Sequence, residues 1–115
     1  MTVTIYHNPR CSKSRQTLAL LEERDVNPEI VLYLEAPLST DVIATILEKL
    51  GKSPRDIMRK GEAPYKDLNL SDATKADAAL ILAMAENPIL IERPIVVSGA
   101  KAAIGRPPEA VLDIL

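Results

Sequence analysis

The sequence has 115 residues, room for one domain, and at 47% apolar residues it can bury a modest core, which excludes wholesale disorder. Fourteen basic against sixteen acidic residues leave a net charge of -2, which excludes a general polyanion binder. With three Tyr and neither Phe nor Trp, the core must be aliphatic, and stacking platforms for single-stranded nucleic acid are excluded as well.

In chain order, Thr2 to Tyr6 alternates, with Val3 and Ile5 on one side, and predicts a strand. His7-Asn8-Pro9-Arg10 forms a turn, and Ser12 to Arg24 reads as a helix with Leu18 and Leu21 one turn apart. Asn27-Pro28 breaks it, and Glu29 to Leu34 predicts a buried strand. Ser39 or Thr40 caps a helix that carries Ile43, Ile46, Leu47 and Leu50 on one face and stops at Gly51. Ser53-Pro54 opens a short helical piece through Arg59, Gly61 to Pro64 is loop, and Lys75 to Glu86 is a helix ended by Asn87-Pro88. Ile95 to Ser98 and Ala102 to Ile104 pair as a hairpin around Gly99. A last helix opens at Pro107 or Pro108, with Glu109 against its dipole.

The order is β-α-β, a helical stretch, then β-β-α. It predicts one α/β domain over residues 1–115, with a small mixed sheet and a helical insert at about 39–87. The apolar run from Ala78 to Ala85 is too short to span a bilayer, and Met-Thr-Val-Thr-Ile opens the chain without a basic n-region. A single cysteine cannot close an internal disulfide, nor can it build a zinc site with a single histidine. The expectation is a cytoplasmic domain with no membrane or nucleic-acid partner, no bound metal and no bound cofactor.

Cys11 falls where the first strand's turn meets the first helix. Free backbone N–H groups and the helix dipole there favour negative charge, lowering a thiol's pKa and welcoming an anion. Arg10, Lys13 and Arg15 are nearby, residues 1 to 21 contain no Asp or Glu, and His7 is close in sequence. A lone cysteine is also compatible with a small buried hydrophobe. Its neighbours Arg10 and Ser12-Lys13-Ser14-Arg15, however, are poor company for a core residue. Arg93 before Pro94 and Arg106 between a Gly and two prolines occupy constrained backbone, and Arg59 ends the short helical piece. Guanidinium forks suit tetrahedral oxyanions, so convergence of these three on Cys11 would make a phosphate-, arsenate- or sulfate-sized pocket. Spacing leaves that convergence open, and for each arginine a solvated surface charge is the plainer alternative.

The run Ile5-Tyr6-His7-Asn8-Pro9-Arg10-Cys11-Ser12-Lys13-Ser14-Arg15 resembles the active-site stretch of the glutaredoxin-coupled arsenate reductase family. The resemblance continues through Leu32-Tyr33-Leu34-Glu35, Met58-Arg59-Lys60, Pro64-Tyr65, Pro88-Ile89-Leu90, Glu92-Arg93-Pro94-Ile95-Val96-Val97 and Ile104-Gly105-Arg106-Pro107-Pro108-Glu109. It implies a thioredoxin-like mixed four-stranded sheet with a helical insert between the second and third strands, and a cis peptide before Pro94. It further implies that Cys11 is the nucleophile on arsenate, that Arg59, Arg93 and Arg106 hold the oxyanion, and that His7 helps keep the thiol ionised. Arg15 and Ser12 would support substrate binding. Glutathione as co-substrate and then glutaredoxin would resolve the adduct. Ser12-Lys13 stands where the well-studied arsenic-resistance enzymes carry a small Gly-Thr type pair, and those enzymes extend past the position of Leu115, so the chain resembles a shorter branch. Two rival functions are a glutathione-dependent thiol transferase and an RNA-polymerase-binding stress regulator. Regulators of the latter kind often carry a Cys-x-x-C switch, which Ser14 rules out here.

Overall fold

The computed structural model describes residues 2–115, which form two compact units. One comprises the chain up to Ala36 together with Arg93–Leu115, and the other is Pro37–Glu92.

In the first unit, strand β1 (Val3–Tyr6) buries Ile5 completely and pairs on both sides. It runs parallel to β2 (Glu29–Val31), with Ile5 opposite Ile30, and antiparallel to β3 (Ile95–Ser98), with Ile5 opposite Val96. β3 turns at Gly99, where φ is 61°, into antiparallel β4 (Lys101–Ile104). The sheet order is therefore β2-β1-β3-β4, a mixed four-stranded thioredoxin-like sheet. Helix α1 (Ser12–Glu23) makes the crossover that a parallel β1–β2 pair requires. Ile5, Leu21, Val96 and Val111 form the core of this unit, with Leu18, Val26, Ala103 and Ile114 packed against it.

Two elements of this unit depart from expectation. The predicted buried strand from Glu29 to Leu34 is only Glu29–Val31, at the sheet edge, with Ile30 48% exposed. It ends early because Leu32 O accepts the N–H groups of Glu35 and Ala36, closing a turn. The terminal helix is a 3-10 helix, Pro108–Ile114, rather than α-helical. A repeat of three residues per turn stacks Pro108, Val111 and Ile114 on one face, matching the burial of Pro108 and Val111 and the core contact of Ile114.

In the second unit, α2 (Thr40–Leu50) begins at Ser39, whose Oγ accepts the Val42 N–H at 3.2 Å. It ends at Gly51, left-handed at φ 66°, and buries Ile43, Ile46 and Leu47. A 3-10 turn, Pro54–Ile57, follows, set by a reciprocal capping box between Ser53 and Asp56. The structure adds a short helix, α3 (Ala63–Asp67), where Gly61 to Pro64 reads as loop; Pro64 sits in its first turn, where a missing N–H costs nothing. Helix α4 (Asp77–Glu86) packs on α2 and buries Leu80, Ala83 and Met84. Arg55 donates from Nη1 to Leu70 O at 2.8 Å and from Nη2 to Asp72 O at 2.6 Å, fixing the irregular stretch between α3 and α4. Among the described residues no helix is long and apolar enough to cross a membrane.

The cap at Ser39 gives a direct stability test. Ser39→Ala removes the acceptor for the Val42 N–H and is expected to cost about 1 kcal/mol, read as a lower urea midpoint with an unchanged slope.

Candidate active site

The turn after β1 is built by its own polar groups. Asn8 O accepts the Cys11 N–H at 3.0 Å, and Asn8 Oδ1 accepts the Arg10 N–H at 3.0 Å. Arg15, one turn into α1, donates from Nη1 to Pro9 O at 2.9 Å. Its guanidinium thus holds the loop's backbone. Cys11 is the residue before α1, in extended conformation at φ −93° and ψ 123°, and its carbonyl accepts the Arg15 N–H at 3.0 Å.

Burial, the largest influence on Cys11, would push its thiol up. The backbone N–H of Ser14, the Arg93 guanidinium, the backbone N–H of Lys13 and the Arg106 guanidinium outweigh it and hold the thiol below its ordinary value. Arg106 reaches the sulfur directly, Nη2 donating to Sγ at 3.5 Å, while its Nε donates to Arg93 O at 2.8 Å. One arginine side chain therefore ties the backbone of the other to the thiol. Nε and Nη1 of Arg93 are themselves shielded from water. Both arginines stand before cis prolines, Pro94 and Pro107.

Ser14 is the residue that sequence reasoning missed. It is fully buried, its backbone N–H serves the sulfur, and its Oγ accepts the Asn8 N–H at 3.0 Å. The same oxygen lies 2.6 Å from His7 Nδ1. Its signal was positional: with Thr17 and Leu21 it makes the buried face of α1, and a polar residue there requires a partner. His7 has its pKa lowered, by burial first and by the Arg15 charge second, so its imidazole is neutral near pH 7. It bonds to Ser14.

Ser12 opens α1 and is exposed to solvent. Arg59 belongs to the helical unit. Its N–H donates to Leu90 O at 2.7 Å beside a Met58–Ile91 β-bridge, and its Nη1 pairs with Glu62 at 2.7 Å. Within the sheet-containing unit, then, the structure brings Cys11, Arg93 and Arg106 together at the head of α1, with His7 and Arg15 bracing the loop.

A cysteine at a helix start thus meets two arginines and backbone N–H donors, all of which favour its ionised form. The model of the ArsC family matches residues 6–114. The chain belongs to the ArsC family. Among its relatives, an arsenate reductase of Haemophilus influenzae is 52% identical over the whole of both chains. The Escherichia coli K12 protein YfgD is 57% identical over 98% of this chain and 96% of its own. The solved structure of an arsenate reductase from Vibrio cholerae superposes with a TM-score of 0.97 at 52% identity, covering 100% of this chain and 98% of that one.

The sulfur's dependence on Arg106 can be read from the pH profile of Cys11 alkylation, because only the thiolate reacts. The cation lowers the thiol pKa, so Arg106→Ala raises it. The midpoint should move up by about one pH unit, making alkylation about tenfold slower at mildly acidic pH while leaving the alkaline plateau unchanged.

Proposed function

We propose that this protein is an arsenate reductase in which Cys11 is the nucleophile and Arg93 and Arg106 hold the oxyanion. The observation that carries the proposal is the Arg106 bond to Cys11 Sγ, in a site where two cations and two backbone N–H groups favour the thiolate. Relatives named arsenate reductase at 43–52% identity support the substrate.

The chemistry follows from that arrangement. Arsenate arrives as an oxyanion, and guanidinium groups lower the repulsion between it and the thiolate. The Cys11 thiolate attacks arsenic, forming the sulfur–arsenic bond, and an arsenate hydroxyl leaves, taking a proton from solvent to depart as water and giving a thiol-arsenate adduct. A second thiol then attacks Cys11 Sγ: a sulfur–sulfur bond forms, the sulfur–arsenic bond breaks with its electron pair going to arsenic, As(V) leaves as As(III), and the two thiols, having lost two electrons between them, remain as a mixed disulfide on Cys11. Cys11 is the sequence's one cysteine, so that second thiol comes from outside. Glutathione fits this role, with glutaredoxin reducing the mixed disulfide; both require the reducing thiol pool of the cytoplasm. In this scheme no metal or bound cofactor takes part, and His7 acts as a neutral brace on Ser14. The roles of Ser12 and Arg15 are to shape the rim and hold the loop. A substrate role for Arg59 rests on the family resemblance.

The test is NADPH consumption with arsenate, glutathione, glutaredoxin and glutathione reductase. Cys11→Ser should abolish the rate. Loss of one charge-assisted contact of roughly 1.5–3 kcal/mol in Arg93→Ala or Arg106→Ala should lower kcat/KM for arsenate by about 10- to 100-fold. Arg59→Ala should do the same if its guanidinium serves the substrate. A rate that persists in Cys11→Ser would overturn the assignment, whereas omission of glutathione alone tests the outside thiol.

A further inference from the structure

Gly105 is where the Arg106-bearing segment lies closest to α1. A Cβ built there would stand 2.8 Å from Pro94 Cγ and 3.1 Å from Thr17 Cγ2, and closer still to Thr17 Oγ1. Real Cβ atoms essentially never come as close as the Pro94 Cγ and Thr17 Oγ1 separations, so any residue but glycine must push both Pro94 and Thr17 aside. Neither yields easily. Thr17 is fully buried on α1, its Oγ1 donating to Lys13 O at 2.8 Å. Pro94 is buried, and its carbonyl accepts the Gly105 N–H at 2.9 Å.

The contact has a particular place in the site. The Gly105–Pro94 bond and the Arg106 Nε–Arg93 O bond join the same two segments at successive residues. Those segments carry both arginines that act on the thiol, whereas Thr17 belongs to the helix whose first turn supplies the backbone N–H groups. The separation at Gly105 therefore sets how closely two cations approach a sulfur fixed to α1.

We infer that Gly105 is a positioning residue for the arginine pair, its missing side chain allowing the close approach to α1 that sets the distance between Cys11 and the Arg93 and Arg106 guanidinium groups. The inference deepens the proposed arsenate reductase site and rests on that assignment for its catalytic consequence only. Its effect on the thiol stands without any substrate.

Two readouts test it in the intact protein: the pH midpoint of Cys11 alkylation by iodoacetamide, and KM against kcat in the coupled arsenate assay. Gly105→Ala should raise the alkylation midpoint by about half to one pH unit and raise KM for arsenate about tenfold, with a smaller change in kcat. Thr17→Ala should leave both near the wild-type values, because it removes only volume and one bond back to its own helix. Combined as Gly105→Ala/Thr17→Ala, the freed space should return the midpoint at least halfway. Gly105→Ala/Thr17→Val, which keeps the bulk and drops the hydroxyl, should not.

A wild-type midpoint in a folded Gly105→Ala protein would overturn the inference, as would equal rescue by Val and Ala at position 17. If Gly105→Ala fails to fold, Thr17→Ile approaches the same gap from the helix side and should raise the midpoint with Gly105 intact. An unchanged midpoint there would equally overturn it. If instead the wild-type protein reduces no arsenate but Gly105→Ala still shifts the alkylation midpoint, the substrate assignment fails and the positioning role holds.

Discussion

A partly buried thiol held below its ordinary pKa at the head of α1 is the constraint on which the rest of the sheet-containing unit depends. Burial opposes it, since a desolvated sulfur prefers its proton. The opposing contributions are all geometric. Two N–H groups exist because α1 starts at Ser12, and two guanidinium groups come from segments 82 and 95 residues further along the chain. The pairing of β1 with β3 brings Arg93 to the sulfur, and the β3–β4 hairpin brings Arg106. The sheet thus serves as the device that turns remote sequence positions into neighbours of one atom.

The loop around the sulfur shows a similar economy. Asn8, Arg15, His7 and Ser14 spend their polar groups on one another or on the loop backbone. A turn braced in this way holds the first N–H groups of α1 in place, which is the kind of preorganisation that stabilises developing negative charge. His7 contributes packing and a hydrogen bond; Arg15 contributes a bond to the Pro9 carbonyl, and its charge helps keep His7 neutral.

Much of this could be read from residue order. The strand at β1, the capped helix from Thr40 and the β3–β4 hairpin all carry local signals: alternation, a cap and a glycine turn. The buried strand expected at Glu29 was misjudged because an Ile-Val-Leu run looks the same whether its sheet has a neighbour on one side or both. The α-helix expected at the C-terminus was misjudged because Pro-Pro marks a helix start without setting its pitch. That pitch follows from the three-residue spacing of Pro108, Val111 and Ile114. In the site, Cys11 and the arginines were legible by residue type, but their meeting was not, because it depends on pairings between remote strands. Ser14 escaped notice because a serine between two basic residues looks like surface until the helix face is known. His7 was legible as a neighbour of the thiol, but its bond to Ser14 depends on which face of α1 is buried.

The clamp made by Arg55 has a consequence of a different kind. Its two guanidinium nitrogens hold carbonyls 15 and 17 residues away, spanning the turn-rich segment that links α3 to α4. A stretch rich in Asp, Asn, Ser and Thr would ordinarily invite protease attack, because cleavage requires local backbone to open into an extended form. Here opening must first break two short bonds to a charged donor, a fork that lysine's single ammonium would not reproduce. The irregular link between these helices is therefore expected to resist nicking as well as regular structure does, so limited digestion should begin elsewhere in the chain.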